Sequence, residues 1–207
     1  MRIALIDYGA GNLRSAARAL AAAGGSPEIV TGPSGLGEID AIVVPGVGAF
    51  AQAMRRLHAA GLVEPIRDAA RHRLPLVGIC LGMQLLFESS EEGEPVQGLG
   101  LLRGTVRRLP ECVRVPHVGW NTFEPCVPDP LFTGLPATYV YFVHSYVAHP
   151  IDPSVVLSET YYGTRFPAIV RHDRIWGLQF HPEKSSRAGA ALLANLLARM
   201  ATPQASA

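Results

Sequence analysis

This sequence predicts an α/β fold: a doubly wound, mostly parallel central sheet flanked by helices, with an antiparallel extension in the C-terminal half. Three observations point there. Through the first 95 residues, short apolar runs alternate with stretches of helical periodicity. Those runs, such as Ile3-Ala4-Leu5-Ile6 and Ile42-Val43-Val44, carry no polar residue at alternate positions, which suits strands buried on both faces of a parallel sheet. Past Pro95 the texture changes, as prolines and glycines become frequent and short β-branched runs replace helices.

The first strand is expected over residues 2–7, followed by the turn Tyr8-Gly9-Ala10-Gly11-Asn12. Asn12 is a candidate N-cap for an Ala-rich helix over 13–23, which Gly24-Gly25 closes. A short strand over 28–31 and a loop over 32–37 precede a third strand over 41–44, stopped by Pro45-Gly46-Val47-Gly48. Helices are expected over 49–60, ended by Gly61, and over 63–73. A strand over 76–79 leads into Gly78-Ile79-Cys80-Leu81-Gly82-Met83-Gln84, and Leu85-Leu86-Phe87-Glu88 has the apolar spacing of a helix start. After an acidic loop over 89–95, strands are expected over 105–109, 139–143, 155–157, 168–170 and 175–180, packed onto the same core. An amphipathic helix over 186–200 closes a single domain spanning 1–200, and 201–207 are expected to fray.

Composition narrows the function. A chain of 207 residues with 48% hydrophobic residues can bury a large core, and 17% charged residues argue against disorder. The net charge of +1 gives no electrostatic footprint for nucleic acid. No apolar run approaches the roughly 18 residues of a membrane span. Met1-Arg2-Ile3-Ala4-Leu5-Ile6-Asp7 is too short and ends too acidic for a signal peptide. Cys80, Cys112 and Cys126 show no CxxC spacing, and their odd number suits a reducing interior, so a cytoplasmic protein is expected.

Two Gly-rich turns resemble dinucleotide fingerprints. The first has Arg14 at its third glycine position. The second, Gly46-Val47-Gly48-Ala49-Phe50-Ala51, lacks an acidic residue about 20 positions on to hold a ribose. No cofactor and no metal are expected. The stronger signal is the strand–corner–helix pattern centred on Cys80, the geometry of a nucleophile elbow. Residues two before and two after such a corner crowd each other, and both are glycines, Gly78 and Gly82. A thiol there also sits at a helix N-terminus, which favours an anion. A buried structural cysteine in a Gly-rich turn is the plain alternative.

A cysteine nucleophile needs a base, and the base an orienting group. His58 and His72 lie on Ala- and Arg-rich helices, while His149 and His172 sit in loop or turn contexts. His181 differs, since it ends the run Ile175-Trp176-Gly177-Leu178-Gln179-Phe180 and begins His181-Pro182-Glu183. In extended backbone residues i and i+2 share a side, so Glu183 can orient the ring while its other nitrogen faces Cys80. A capped turn is the plain alternative. Acyl transfer also needs two N–H donors, for which Leu81, after the nucleophile, and the glycine-flanked Val47 are candidates. A tight structural turn is the alternative for Val47.

With Gly-Ile-Cys-Leu-Gly-Met-Gln and the later Gln-Phe-His-Pro-Glu, the chain resembles the class I (triad) glutamine amidotransferases. More narrowly, it is similar to the glutaminase subunits of imidazole glycerol phosphate synthases of histidine biosynthesis. That likeness rests on Asp7-Tyr8-Gly9-Ala10-Gly11-Asn12, Pro45-Gly46-Val47-Gly48, Pro116-His117-Val118-Gly119-Trp120-Asn121 and Tyr141-Phe142-Val143-His144-Ser145-Tyr146. Ala10 replaces a proline frequent in the family's first turn. The resemblance implies a Cys80-His181-Glu183 triad and an oxyanion hole from the backbone of Leu81 and Val47. It implies glutamine contacts from Gln84, Gly48, His144, Ser145 and Tyr146. It further implies that ammonia passes to a cyclase subunit, a (β/α)8 barrel, which makes imidazole glycerol phosphate and an aminoimidazole carboxamide ribotide. Tyr8, Asn12, Trp120, Asn121, Tyr141 and Lys184 would form the docking face around the channel mouth. Gly46 and Gly48 would let the Val47 peptide rest in a non-productive orientation until a partner biases it.

Two other readings remain open at this level. The same chemistry could serve another pathway, such as pyridoxal phosphate synthesis, although Met83 and His144-Ser145-Tyr146 favour the histidine one. Alternatively, the fold could be a catalytically silent binding module, against which the intact Cys80-His181-Glu183 set argues. An α/β hydrolase is disfavoured because its acid precedes its histidine.

Overall fold

The computed structural model describes residues 1–9, 11–94, 96–135 and 138–202, so Ala10, Pro95, Pro136, Ala137 and the tail beyond Thr202 lie outside the described residues. The first half alternates strands and helices: β1 (Arg2–Ile6), α1 (Leu13–Ala22), β2 (Ser26–Val30), β3 (Ala41–Gly46), α2 (Phe50–Ala59), α3 (Val63–Arg71), β4 (Leu76–Cys80) and α4 (Leu81–Leu85). Strands dominate the second half: β5 (Phe87–Ser90), β6 (Val96–Gln97), β7 (Leu102–Arg108), β8 (His117–Thr122), β9 (Glu124–Pro125), β10 (Tyr139–His144), β11 (Tyr146–Pro150), β12 (Val156–Tyr161), β13 (Arg165–His172) and β14 (Ile175–Leu178). Helix α5 (Ser186–Ala201) follows them and takes in Ala201, which the sequence assigned to a frayed tail.

The main sheet has eight strands in the order β2-β1-β3-β4-β14-β13-β12-β9. Its first five members run parallel, and β13, β12 and β9 extend it antiparallel. Strand β14, expected within the antiparallel half, instead closes the parallel half beside β4. Period-2 alternation splits the core between the two faces. Ile3, Leu5, Ala41 and Val43 pack with α1 and α5, while Ala4, Ile6, Ile42 and Val44 pack with α2 and α3. The chain reverses direction of winding between β1 and β3, so a crevice opens at the C-terminal ends of these strands. Two smaller sheets flank it: β10-β8, and β11-β7-β5-β6.

Three local expectations change. Helix α4 is only five residues long, and Phe87–Ser90 is a strand. Tertiary hydrogen bonds explain the switch, since the N–H groups of Gly98, Leu99 and Leu101 take the carbonyls of Glu88, Leu85 and Leu86 at 2.8 Å. Those carbonyls are then no longer needed by a continuing helix. Asn12 stands before α1 in a left-handed conformation (φ 73°), and its side chain makes no capping hydrogen bond. Its backbone carbonyl instead accepts from Ser15 and Ala16. Strands β5, β6, β8, β9 and β11 had no counterpart in the sequence reading.

The corner between β4 and α4 is possible only without side chains at its flanks. A Cβ at Gly82 would overlap the Val44 carbonyl oxygen, and one at Gly78 would overlap the Gly82 backbone. Gly82→Ala is therefore expected to destabilise the fold by about 3 kcal/mol or more, the upper range for overpacking against rigid backbone. Denaturant unfolding measures this, and a change under about 0.5 kcal/mol would contradict the packing argument.

Candidate functional site

Loops after β1, β3, β4 and β14 meet at the crevice. Strand β4 ends in Cys80, whose φ of 56° and ψ of −110° lie where a residue with a side chain is strained. That corner turns strand into helix within one residue and leaves the thiol projecting clear of both. The residue is nonetheless 4% exposed, so its sulfur faces a crevice and not open solvent.

Beyond β14, the His181 N–H donates to the Tyr141 carbonyl at 2.9 Å. Ser185 locks the same spot: its Oγ donates to the His181 carbonyl at 2.6 Å and accepts from the Tyr141 N–H at 2.9 Å. His181 has extended backbone, but Pro182–Lys184 form a 3-10 turn instead of continuing the strand. The turn folds Glu183 back so that its Oε1 meets His181 Nδ1 at 2.8 Å, with both side chains buried. His181 Nε2 and Glu183 Oε2 are buried without hydrogen-bond partners among the described residues. An unpartnered, buried ring nitrogen beside a thiol is held ready for a group that is not part of the chain.

Burial pushes the His181 pKa down, but the sulfur of Cys80 and then the carboxylate of Glu183 outweigh it and raise the value from 6.5 to about 10. The arrangement therefore favours an imidazolium, a ring able to give up a proton.

A cavity of about 240 Å³ opens beside the thiol. It gathers the residues read as oxyanion and glutamine contacts: Val47 and Gly48 after β3, Leu81 and Gln84 in α4, and His144, Ser145 and Tyr146 where β10 passes into β11. Gln84 Nε2 donates to the Tyr146 carbonyl at 2.8 Å and to Gln179 Oε1 at 3.2 Å. Gln179 Nε2 in turn reaches the Cys80 sulfur at 4.0 Å. His144 lines the cavity, yet both its ring nitrogens are engaged: Nδ1 with the Tyr146 carbonyl and Nε2 with His117. Its side chain thus shapes the cavity without offering a free polar atom to a ligand.

Two lining or adjoining residues escaped the sequence reading. Glu92 lines the cavity while one carboxylate oxygen accepts the Phe50 N–H at the start of α2 (2.7 Å). It had been one acid among several in a loop, and nothing in the sequence marks which of them turns inward. Gln179 is wholly buried. Its signal was present, as a polar residue inside the apolar run ending at Phe180.

The predicted docking residues divide. Trp120 is 53% exposed, and its ring meets that of Tyr141 edge to face at 6.1 Å. Lys184 Nζ lies 5.7 Å from the centre of the Tyr141 ring, and Asn12 is exposed. Asn121 is half-buried, its amide donating to the Tyr161 carbonyl at 3.0 Å. Tyr8 does not belong to this surface. It is 5% exposed, and its hydroxyl donates to the Pro45 carbonyl at 2.8 Å, so it braces the loop after β3.

Fold and geometry together describe a class: α/β proteins with a cysteine on a strained corner, next to a buried histidine–carboxylate pair. The family model for "Glutamine amidotransferase class-I" matches residues 4–200, and the chain belongs to that family. It is 48% identical over 194 residues to the "Imidazole glycerol phosphate synthase subunit HisH" of Moorella thermoacetica, covering 93% of this chain and 92% of that one. A protein of the same name from Methanopyrus kandleri is 47% identical over 199 residues, covering 95% and 98%. Among solved structures, the "Structure of PurLQS from Thermotoga maritima" superposes with a TM-score of 0.76 at 21% identity, covering 96% of this chain and 98% of that one. At that identity the likeness concerns the fold.

The raised pKa has a thermodynamic consequence. A folded value of about 10 against 6.5 means that His181 protonation stabilises the fold fully below about pH 6.5 and ceases to do so as pH rises through about 10. Nitrogen-15 NMR is expected to show the ring titrating near pH 10, and Cys80→Ala to lower that midpoint. An unchanged or higher midpoint in the alanine variant would rule out the sulfur as the source of the shift.

Proposed function

We propose that this chain is the glutaminase subunit of an imidazole glycerol phosphate synthase, hydrolysing glutamine and passing ammonia to a cyclase subunit. The observation that carries the chemistry is that Cys80, in the wall of the cavity, acts directly on the ring of the buried His181–Glu183 pair. The pathway is supported by curated relatives of that name, 47–48% identical over nearly the full chain. The reading takes residues 1–200 as one class I domain working in the cytoplasm.

The Cys80 thiolate attacks the carboxamide carbon of glutamine, and the carbonyl oxygen becomes an oxyanion held by the N–H groups of Leu81 and Val47. The His181 imidazolium, oriented by Glu183, delivers its Nε2 proton to the departing nitrogen. Ammonia leaves and a γ-glutamyl thioester remains. Neutral His181 then removes a proton from water, hydroxide attacks the thioester, and glutamate departs as the thiolate and imidazolium are restored. Gln84 and Glu92 suit the α-ammonium: nothing among the described residues donates to Gln84 Oε1, and Glu92 brings a negative charge to the wall. Gly48, Ser145 and Tyr146 complete the wall around the head group.

Ammonia protonates in bulk water, so it must leave through protein. The partner is read as a (β/α)8-barrel cyclase docking over Asn12, Trp120, Asn121, Tyr141 and Lys184. Aromatic rings rimmed by a lysine and amides are the composition of an interface hot spot.

In the complex, Cys80→Ala is expected to abolish synthesis from glutamine while synthesis from ammonium salts continues. Loss of both would mean that the residue supports assembly. Glu183→Gln should lower kcat for glutamate release by about 10²–10⁴, the scale seen when a histidine loses its orienting carboxylate. A loss under threefold would remove Glu183 from the triad.

A further inference from the structure

Among the buried polar groups that the mechanism leaves unused is an imidazole close to the cavity wall. His117 is 3% exposed and pairs across the β8–β10 ladder with His144, itself 6% exposed. His117 Nδ1 lies 3.2 Å from His144 Nε2. The His117 ring is stacked between Phe142, at 5.0 Å, and Tyr162, at 4.0 Å, so it cannot turn without disrupting both. Burial lowers the pKa of His117 to about 4 and of His144 to about 3, which keeps both rings neutral at ordinary pH.

A neutral imidazole has one donor and one acceptor, so the direction of each hydrogen bond follows from its neighbours. At one end, the Tyr146 carbonyl can only accept, so His144 Nδ1 carries the proton at 3.0 Å and its Nε2 is an acceptor. His117 Nδ1 must then donate, which makes His117 Nε2 an acceptor. At the other end, the Thr122 N–H donates to Asn121 Oδ1 at 2.8 Å, which fixes the Asn121 amide with its nitrogen toward His117 Nε2, at 3.5 Å. The two ends were assigned independently, and they agree. All four ring nitrogens are satisfied in one sense only.

The chain of donors reaches the active site through one atom. The Tyr146 carbonyl that accepts from His144 also accepts from Gln84 Nε2, whose second proton points to Gln179 Oε1. Its far end, Asn121, is next to the exposed Trp120 on β8.

We propose that His117 is a positioning residue of the glutaminase site: by donating to His144 it fixes the Tyr146 carbonyl and the Gln84 amide, and it ties them to the strand that carries the docking face. This rests on the function proposed above. Apolar side chains could fill the same space at no loss of burial, but they would leave the carbonyl held from one side only. A directional chain closed at both ends admits a single arrangement.

Two measurements test it. In the unmutated protein, nitrogen-15 NMR should find His117 and His144 neutral and both protonated at Nδ1. Protonation of either at Nε2 overturns the inference without recourse to a variant. In the complex with the cyclase subunit, His117→Leu should raise KM for glutamine about tenfold, the scale of one buried hydrogen bond, with kcat changed less than threefold. His117→Asn, whose amide can replace the Nδ1 donor, should recover most of that loss. An unchanged KM in the leucine variant, or asparagine no better than leucine, overturns the inference while wild-type glutamate release continues. Absence of glutamate release from the wild-type complex would instead sink the functional reading, and this role with it.

Discussion

Everything in the site depends on one backbone contact, the close approach of the β4–α4 corner to the end of β3. Gly82 lies against the Val44 carbonyl and Gly78 against the Gly82 backbone, so three stretches of main chain meet where side chains would normally hold them apart. That approach forces Cys80 to positive φ and brings Leu81 alongside the loop of Val47 and Gly48. The strain of a left-handed non-glycine residue is of order 1–3 kcal/mol and persists only where surrounding structure over-determines it. Here the overdetermination is the parallel sheet, in which Gly46 and Cys80 are register partners.

Around this contact the protein separates two electrostatic regimes. His181, with a carboxylate on one side and a sulfur on the other, is pushed toward its charged form. His144, in the cavity wall nearby, is held neutral by burial, with its partner His117 similarly placed. The same side-chain type is thus driven toward its charged form in one place and held neutral and hydrogen-bonded in the other. Environment sets the difference, and the environment is set by which strand each residue ends.

The parallel half of the fold was legible because β1, β3 and β4 are buried on both faces and its helices are amphipathic, so period and composition agree. The reading failed where tertiary hydrogen bonding overrode local preference. Leu85-Leu86-Phe87-Glu88 has a helical pattern, but Leu99, Leu101 and Gly98 take the carbonyls of Leu85, Leu86 and Glu88, and the chain becomes β5. Strands β8 and β11 belong to small flanking sheets, where pairing partners decide the structure more than residue type does. The site followed the same division. Cys80, His181 and Glu183 stood out because their chemistry is unusual in its local setting. Glu92 and His117 act through contacts far along the chain, which no window of sequence contains. Tyr8, which the family resemblance placed on the docking face, instead has its ring packed inward and its hydroxyl bonded to Pro45.

That inward tyrosine limits how the crevice can rearrange. Its hydroxyl holds the Pro45 carbonyl, and the same oxygen occupies the space that a Cβ at Gly46 would need. Pro45 is thereby anchored to the turn after β1, while Gly48, at φ 101°, begins the step into α2. A rearrangement of the Val47 peptide, set between that held carbonyl and Gly48, would therefore fall on the loop and leave the sheet beneath it in place.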